Sequence, residues 1–328
     1  MEIKGILVTS LAPMSDHIAN GGEKILGNAS SIKQRPDGRV YISGQKQRHA
    51  LFSAIERLNF EDSQRNGTYV SNGDGITTIV ENDLRADLGG FLDTKGKETY
   101  SGRRTAPLSA TPAVALEASQ VGRDLLIRLT QNPNVVTEEA YNKLSEEEKK
   151  TKSKRQQAVA TREFSQEDLM LMNFFIDVGA VSIRKRFVYE GDMHLETQYV
   201  KHVDEAERRR RVRLALEATA SLTDYANQAR NAVSGEPQQV LIAFDTKLSR
   251  KAARYFRAGA TERANLLKEF KQRGAEYFIG DDTGNEEGGD SVLDAYEKAY
   301  AFLEANTLFD PTGGATPMTS DEFEKSAR

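Results

Sequence analysis

The stretch that best predicts the fold is Gly38-Arg-Val-Tyr-Ile-Ser-Gly-Gln-Lys-Gln-Arg-His49, continued by Ala50-Leu-Phe-Ser-Ala-Ile-Glu-Arg-Leu58. We expect Tyr41 and Ile42 to end a short strand, and Ser43 to cap the helix that follows. Apolar residues recur at helical spacing after the cap, which predicts one buried helix face. They are Ala50, Leu51, Ala54, Ile55 and Leu58.

The first turns of this predicted helix carry polar and basic side chains. They are Gln45, Lys46, Gln47, Arg48 and His49. Free backbone N–H groups and the positive end of the helix dipole point the same way as these side chains, so the strand-to-helix turn can receive a phosphate group. The competing interpretation is an amphipathic surface helix whose lysine and arginine simply face water.

Composition places the chain among globular proteins. It has 328 residues, of which 38% are hydrophobic and 29% charged, with a mean hydropathy of −0.58. This length predicts one large domain with insertions or two domains. The absence of cysteine excludes disulfides and thiolate metal sites and fits a reducing cytoplasm. Neither a signal peptide nor a membrane span is expected, so we predict a cytoplasmic protein with no membrane partner.

The net charge of −4 conceals an uneven distribution. Residues 276–328 contain 13 acidic side chains against three basic ones, a net of −10, which leaves +6 on residues 1–275. An asymmetry of this kind suggests a basic surface on the main body and an acidic surface for docking or solubility near the C-terminus.

Two polar segments flank the predicted turn in sequence. Residues 12–37, which follow a predicted strand at 3–11, look like a long glycine-rich loop whose Asn28, Ser30 and Lys33 offer polar contacts. The loop has neither a Walker ending nor the Rossmann glycine spacing. Further on, Arg103 and Arg104 lie in a Gly/Ser/Thr/Pro setting typical of an exposed turn, where two arginines can grip phosphate or simply be solvated.

The remaining elements follow from periodicity. We predict a helix over residues 112–130, a charged solvent-facing helix or mobile insertion within 131–168, and buried strands at 169–183 and 237–244. A helix begins at the run Arg208-Arg-Arg-Arg-Val-Arg213, most of which we interpret as a solvated face partly neutralised by Glu205 and Glu207. Residues 251–271 and 292–303 read as further helices.

The four histidines do not indicate a catalytic or metal site. His17 beside Asp16 is the nearest hint of acid–base chemistry. His49, His194 and His202 have no second ligand at metal-binding spacing, so we predict no metal, no cofactor and no catalytic residue. His49 is better interpreted as a polar RNA contact, a capping contact or part of the helix–sheet packing.

The order of these elements predicts an α+β protein with a ferredoxin-like (RRM-like) core, called a palm below, and a long insertion. The palm would comprise residues 1–82 and 169–250, the inserted region with thumb and web or fingers elements 83–168, and an acidic helical segment 251–328. In such a fold the helices cover one face of the sheet and leave the other for RNA.

Four places in this order make the chain resemble the repeat-associated (RAMP-type) backbone subunit of type I CRISPR effector complexes (Cascade), in the DevR or autoregulator branch. They are residues 26–30, the turn at 41–49, Asp87-Leu-Gly-Gly-Phe91 with Arg103-Arg104-Thr-Ala-Pro-Leu-Ser109, and the arginine-rich helix leading to 240–244. Segments 131–168 and 276–328 lie outside the resemblance.

The resemblance implies a hand-shaped, non-catalytic ribonucleoprotein subunit of antiviral defence. Copies of it would stack as a helical filament along CRISPR RNA, with a neighbour's thumb flipping out bases. The guide would then pair with target DNA, and handle-capping, large and small Cascade subunits would be partners. RNA contacts would come from Asn28, Lys33, Ser43, Gln45, Lys46, Arg48, His49, Arg103 and Arg104. The thumb would be segment 83–110 or, as a second choice, 184–200.

Two other functions compete with this one. Related backbone subunits of type III complexes cut target RNA with an aspartate and a divalent metal. Asn28 falls near that position here, and an amide cannot replace a carboxylate as metal ligand or proton acceptor. The second alternative is a DNA-binding autoregulator, although no helix-turn-helix signature is evident.

Overall fold

The computed structural model of the protein describes residues 1–24, 29–72, 75, 77–92, 103–130, 137–152, 156–228, 232–284 and 289–326. Within those residues, no helix combines the length and apolar character needed to cross a membrane. Strands and helices alternate along the chain and pack together, so the protein belongs to the α+β class, as predicted.

The elements are named in chain order. The strands are β1 (Glu2–Ile3), β2 (Gly5–His17), β3 (Gly22–Lys24), β4 (Ala29–Ile32), β5 (Tyr41–Ile42), β6 (Phe91–Leu92), β7 (Arg103–Arg104), β8 (Leu108–Ala110), β9 (Ala113–Ala115), β10 (Val121–Thr130), β11 (Gln156–Asp177), β12 (Ile183–Glu190), β13 (Met193–Lys201), β14 (Gln239–Asp245), β15 (Glu276–Asp281) and β16 (Thr307–Leu308). The helices are α1 (Gly44–Glu61), α2 (Leu84–Gly89), α3 (Glu138–Asn142), α4 (Glu146–Lys152), α5 (Glu205–Ala218), α6 (Ala260–Gln272), α7 (Val292–Ala305) and α8 (Ser320–Ser326), with 3-10 helices at Val178–Ala180 and Lys251–Arg257.

The main sheet is built around β2. It pairs antiparallel with β11 on one side and with β14 on the other, and β15 extends the sheet beyond β14. Across β11, short strands β8 and β9 pair antiparallel with its C-terminal half, and β5 pairs with β9. The strand β5 that leads into α1 is therefore held at the edge of the main sheet.

Both faces of this sheet are apolar, because successive side chains of its central strands point to opposite sides. Ile6 and Val8 of β2 face the core formed with α1, α5 and α7, whereas Leu7 and Leu11 face a second core. That second core is covered by the 3-10 helix at Lys251–Arg257 and by α6. The expectation that one sheet face stays open for RNA is therefore wrong: strands apolar on both sides need cover on both.

The strand-to-helix prediction at residues 41–58 is confirmed. Strand β5 ends at Ile42, Ser43 is the N-cap, and α1 begins at Gly44. The apolar positions of α1 face the core as its spacing predicted, with Leu51 and Ile55 fully buried. The helix at the arginine run (α5), the strand at 237–244 (β14) and the helix at 292–303 (α7) are confirmed as well.

The predicted helix over residues 112–130 is wrong. This segment forms β9 and β10, and β10 pairs with β11 as a long ribbon in which Leu125 and Ile127 are exposed. A Cβ atom on Gly122 would lie 2.5 Å from the ring of Phe164 on β11, so a larger residue there would require this ring to move. Leucine and valine spacing in this segment could not distinguish a helix from a ribbon.

Residues 12–37 are more regular than predicted, because β2 continues to His17 and β3 and β4 follow. Pro13 lies beyond Leu11, the last residue of β2 that pairs with β14, so it sits where one side of β2 has no partner from that strand. Residues 137–152 contain α3 and α4, in keeping with the predicted charged helix. The domain boundaries at 82, 168 and 250 stay predictions.

Candidate functional site

The β5–α1 turn is fixed by its cap and by a close backbone approach. The Ser43 hydroxyl accepts a hydrogen bond from the Lys46 backbone N–H at 3.2 Å. A Cβ atom on Gly44 would lie 3.2 Å from the Ala110 carbonyl oxygen, so a larger residue would push α1 away from β8. The turn therefore presents the side chains of the first helical turns in a defined position.

Lys46 and His49 share one carboxylate, Asp224. The Asp224 carboxylate accepts a hydrogen bond from Ser53 at 2.6 Å, and it lies 2.9 Å from His49 Nε2 and 3.9 Å from Lys46 Nζ. Burial opposes ionisation, but the Ser53 bond and the Lys46 charge hold the pKa of Asp224 below its usual range. Partial burial also lowers the pKa of Lys46. A single, half-exposed acid thus accompanies this part of the turn.

Arg48 lies where α1 meets α2, next to a second arginine. Its guanidinium donates a hydrogen bond to the Gly89 carbonyl at 2.7 Å, and its charge lies 5.9 Å from the centre of the Phe52 ring. Arg85 of α2 lies 4.7 Å from the same ring. Burial and, for Arg48, the charge of Arg85 lower the pKa of both guanidinium groups. Two like charges thus share this junction, where Asp83 and Glu56 offset part of the charge of Arg85.

Sequence reasoning missed Arg85 and Asp224. Asp224 is 171 residues from Ser53, so no local pattern connects it with the turn. Arg85 lies in segment 83–110, two residues after Asp83, which caps α2. The only available signal was a basic residue in a short helix beside a glycine pair.

The other predicted contact residues fall in different places. Gln45 is exposed at the start of α1, and Lys33 is half-buried, with its carbonyl accepting a hydrogen bond from the Tyr41 N–H at 3.4 Å. Arg103 of β7 is exposed. Asn28 lies outside the described residues. The structure therefore brings Ser43, Gln45, Lys46, Arg48 and His49 together, with Lys33 beside the adjoining strand.

Arg104 is not on the surface, although its sequence setting indicated an exposed turn. Its side chain is 5% exposed, and its guanidinium lies 2.6 Å from Asp87 Oδ1 and 2.9 Å from the Ala180 carbonyl oxygen. Gly90, which precedes β6, has φ +68°, and a Cβ there would be 2.4 Å from the Arg104 carbonyl oxygen. A buried carboxylate requires a counter-charge, so Arg104 stabilises the fold and is not an exposed contact residue.

The interpretation of the arginine run as a mainly solvated face is wrong. Arg208 and Arg211 are fully buried. Glu205 pairs with Arg208 at 2.8 Å, and Glu207 pairs with Arg211 at 2.7 Å, so the expected self-neutralisation occurs. Arg211 also reaches Asp87 at 2.7 Å. These arginines anchor α5 within the fold and are not available to a ligand.

The β12–β13 hairpin carries exposed apolar and aromatic side chains. Met193 is 61% and Leu195 51% exposed, and both lie close to the hairpin tip. The His194 ring packs edge-on against the rings of Phe187 and Tyr189 across the two strands. The hairpin therefore presents an exposed apolar surface, of the kind that binds another molecule.

His17 has a structural environment. It is fully buried, and its Nε2 lies 2.7 Å from Asp168 of β11, whose other oxygen accepts a hydrogen bond from Ser119 at 2.5 Å. Burial opposes ionisation, but the His17 and Ser119 bonds hold the pKa of Asp168 below its usual range. Across the part of the chain that the structure describes, no group of three or more histidine and acidic side chains could hold a metal ion.

An α+β fold with basic side chains at a strand-to-helix turn and an exposed apolar hairpin does not by itself define an activity. Over residues 40–245, the chain matches the family model described as CRISPR-associated negative auto-regulator DevR/Csa2. The chain belongs to this family. The matched region includes the β5–α1 turn, α2, the β12–β13 hairpin and α5.

Solved structures with the same fold include a chain of a "CRISPR RNA-guided surveillance complex". It has a TM-score of 0.53 and 14% sequence identity, and the match covers 91% of this chain and 99% of that one. A chain of a "CRISPR RNA-guided surveillance complex, pre-nicking" has a TM-score of 0.49 and 13% identity, over 92% and 99% of the two chains. No curated protein matches the chain.

Proposed function

We propose that this protein is a backbone subunit of an RNA-guided CRISPR surveillance complex of the Cascade kind. Copies of it stack along a CRISPR RNA, hold the sugar–phosphate chain and present the guide bases to target DNA, without cutting nucleic acid. The observation that carries the proposal is family membership over residues 40–245, a region that contains the cationic turn.

The sheet arrangement supports a ferredoxin-like palm. In chain order, β2, α1, the β8–β9 pair, β11, α5 and β14 give two strand–helix–strand units. The four strand positions lie in the spatial order β14, β2, β11 and β8–β9, with antiparallel pairing throughout. Both helices of these units pack on the same face of the sheet, as they do in a ferredoxin-like fold.

The RNA backbone would be held at the β5–α1 turn. Lys46, Arg48 and Arg85 supply positive charge to phosphates, and Gln45 and the capped backbone fix their position. Asp224 offsets part of this charge and also restrains Lys46 and His49. Asp83 and Glu56 offset part of the charge of Arg85 in the same way. Because the contacts are to phosphate, binding should weaken with salt and depend little on guide sequence.

The β12–β13 hairpin is the better candidate for the thumb. Its exposed tip residues Met193 and Leu195 have the apolar character of side chains that wedge between stacked bases. Segment 83–110, the first choice from sequence, contains the buried pair of Asp87 and Arg104, and its residues 93–102 lie outside the described residues. A neighbouring copy would therefore insert the hairpin at regular intervals along the RNA.

The test is whether RNA copurifies with the protein. The double variant Lys46→Glu with Arg48→Glu should fold but lose bound small RNA, since two attractions to phosphate become repulsions. Gln45→Glu with Lys46→Glu, which keeps the Arg48–Gly89 hydrogen bond, should also reduce the RNA recovered. The control Lys268→Glu with Lys271→Glu makes the same change in charge as the first variant, on exposed positions of α6.

RNA released by heating would be compared on a gel, and circular dichroism would check folding. A discrete short RNA from the wild type and the control, but not from the turn variants, supports the site. RNA of normal length and amount from the turn variants would refute it.

A DNA-binding regulator is the second candidate, because the family description includes negative auto-regulation. This function predicts tight, sequence-specific binding to a DNA duplex by protein free of RNA. Titrating labelled duplexes of differing sequence with RNA-free protein distinguishes the two functions.

A further inference from the structure

A second group of arginines lies on the side of the sheet opposite α1. The segment from Lys247 to Arg257 contains five basic residues and no acidic one. It forms the 3-10 helix whose Ala252 and Phe256 cover the second apolar core. Arg254 and Arg257, in the last turn of this helix, are exposed.

Not every cation of this segment is free to bind a ligand. Lys251 pairs with Glu269 at 2.7 Å, and Arg250 lies 4.5 Å from the centre of the Phe175 ring. Arg263 of α6 donates hydrogen bonds to the carbonyl oxygens of Tyr255 and Ala258 at the end of the 3-10 helix. Since Arg263 satisfies these carbonyl groups, Arg254 and Arg257 are not needed as helix caps.

The turn before β5 brings two more arginines to the same place. Its backbone is closed by a hydrogen bond from the Arg35 N–H to the Arg39 carbonyl at 2.9 Å, and the Gly38 carbonyl accepts from the Ser119 N–H at 3.1 Å. Three residues before Ser119, Leu116 packs on the core that the 3-10 helix covers. The turn and the end of the 3-10 helix are therefore neighbours.

Arg35, Arg39, Arg254 and Arg257 form what we call the basic surface. Two acids accompany it: Asp37 pairs with Arg39 at 2.6 Å, and the charge of Glu117 also acts on Arg39. Partial burial and the charges of Arg39 and Arg35 lower the pKa of Arg257, in keeping with the three guanidinium groups lying close enough to repel one another. Among the described residues, no ion pair involves Arg35, Arg254 or Arg257. Like charges gathered without a matching set of acids indicate a site for an external anion.

We infer that the basic surface binds the phosphate backbone of a nucleic-acid strand separate from the one held at the β5–α1 turn. Arginine forks match phosphate oxygens two at a time, and a row of them on a helix and a turn suits a chain of phosphates better than one small anion. The inference rests on the proposed function only in that both concern nucleic acid. Arg254 and Arg257 lie on the 3-10 helix, which covers the sheet face opposite α1.

The experiment measures binding of an added strand. Full-length protein, purified with whatever RNA it carries, is titrated into a fluorescently labelled single-stranded DNA of about 30 nucleotides while its anisotropy is recorded at several NaCl concentrations. The variant is Arg254→Glu with Arg257→Glu, and the control of equal charge is Lys268→Glu with Lys271→Glu. Each phosphate contact on a single strand contributes about 0.7 to the steepness of log K against log salt. Loss of two contacts should therefore make this slope less steep by about 1.4.

We expect the variant to bind the probe at least about tenfold more weakly than the control at low salt, while the amount of copurified RNA stays normal. A milder variant, Arg254→Gln with Arg257→Gln, removes the charges without reversing them and should bind the probe with intermediate affinity. It replaces the glutamate variant in the test if the glutamates perturb folding. Equal affinity and equal salt slope in variant and control would refute the inference.

The acidic C-terminal region of a second copy is the other conceivable occupant. If the variant leaves probe binding unchanged but abolishes self-association in sedimentation, the surface is a protein interface and the inference is wrong. Failure of the turn variants to release RNA would instead refute the proposed function alone, because copurified RNA and added probe are measured separately.

Discussion

Replacement of Asp87 by asparagine tests the buried ionic network at the centre of this fold. Asp87 is fully buried, and its carboxylate accepts hydrogen bonds from Arg104 at 2.6 Å, Arg211 at 2.7 Å and the Ser182 hydroxyl at 2.6 Å. It also accepts from the Ser182 backbone N–H at 2.8 Å. One carboxylate thus ties α2 to β7, to α5 and to the segment before β12.

The expected loss of stability follows from the buried positive charge that the substitution leaves without its anion. Asparagine has nearly the shape of aspartate, but its amide nitrogen cannot accept a hydrogen bond and its side chain has no charge. Arg104 then loses its anion, whereas Arg211 keeps Glu207 at 2.7 Å. Removing one partner of a buried ion pair costs about 3–5 kcal/mol, so we expect a loss of that size. This is a large part of the roughly 5–15 kcal/mol that stabilises a typical protein.

The assay is urea-induced unfolding followed by circular dichroism, since the chain has no tryptophan. The control is Asp224→Asn, because Asp224 is half-exposed and its ion pairs should contribute less than about 1 kcal/mol. A double variant, Asp87→Asn with Arg104→Met, should lose less than the sum of the two single changes because the residues share one interaction. A loss below about 1 kcal/mol for Asp87→Asn would show that the network does not stabilise the fold in this way.

Two further predictions concern pH and catalysis. Burial, aided by the nearby charge of Arg184, lowers the pKa of His202 to about 4 from 6.5. Because the unfolded chain binds that proton more readily, the free energy of unfolding should be highest above about pH 6.5. It should fall by up to about 3 kcal/mol as the pH drops to about 4. Urea unfolding at several pH values should show a weaker pH dependence in His202→Gln, and an unchanged dependence would contradict the assignment. Asp37 forms an ion pair with Arg39 in an exposed turn, so we expect the assembled complex to show no metal-dependent cleavage of target RNA. Cleavage that Asp37→Ala abolishes would establish a nuclease.

The local signals in the sequence predicted several elements well. The serine before a helical apolar pattern located the start of α1, and the apolar runs at 237–244 and 292–303 located β14 and α7. Each of these depends on residues within one or two turns of one another. The spacing of leucine and valine at 112–130 failed because exposed ribbon positions such as Leu125 and Ile127 imitate a helical pattern.

The candidate site was predictable only in part. Residues 43–49 are contiguous, so their clustering follows from the turn itself. Arg85 and Asp224 enter the site through tertiary packing, and Arg104 leaves it for the same reason. A basic residue has the same local sequence signature whether it faces water or a buried acid.

By itself, the sequence determined the capped helix after β5, the apolar runs and the uneven charge along the chain, because these depend on neighbouring residues. Only the tertiary structure decided which charges are buried. Asp87 meets Arg104 and Arg211 from 17 and 124 positions away. The cost of burying a charge depends on the partners it finds in space, so the same arginine can be an RNA contact or part of the core.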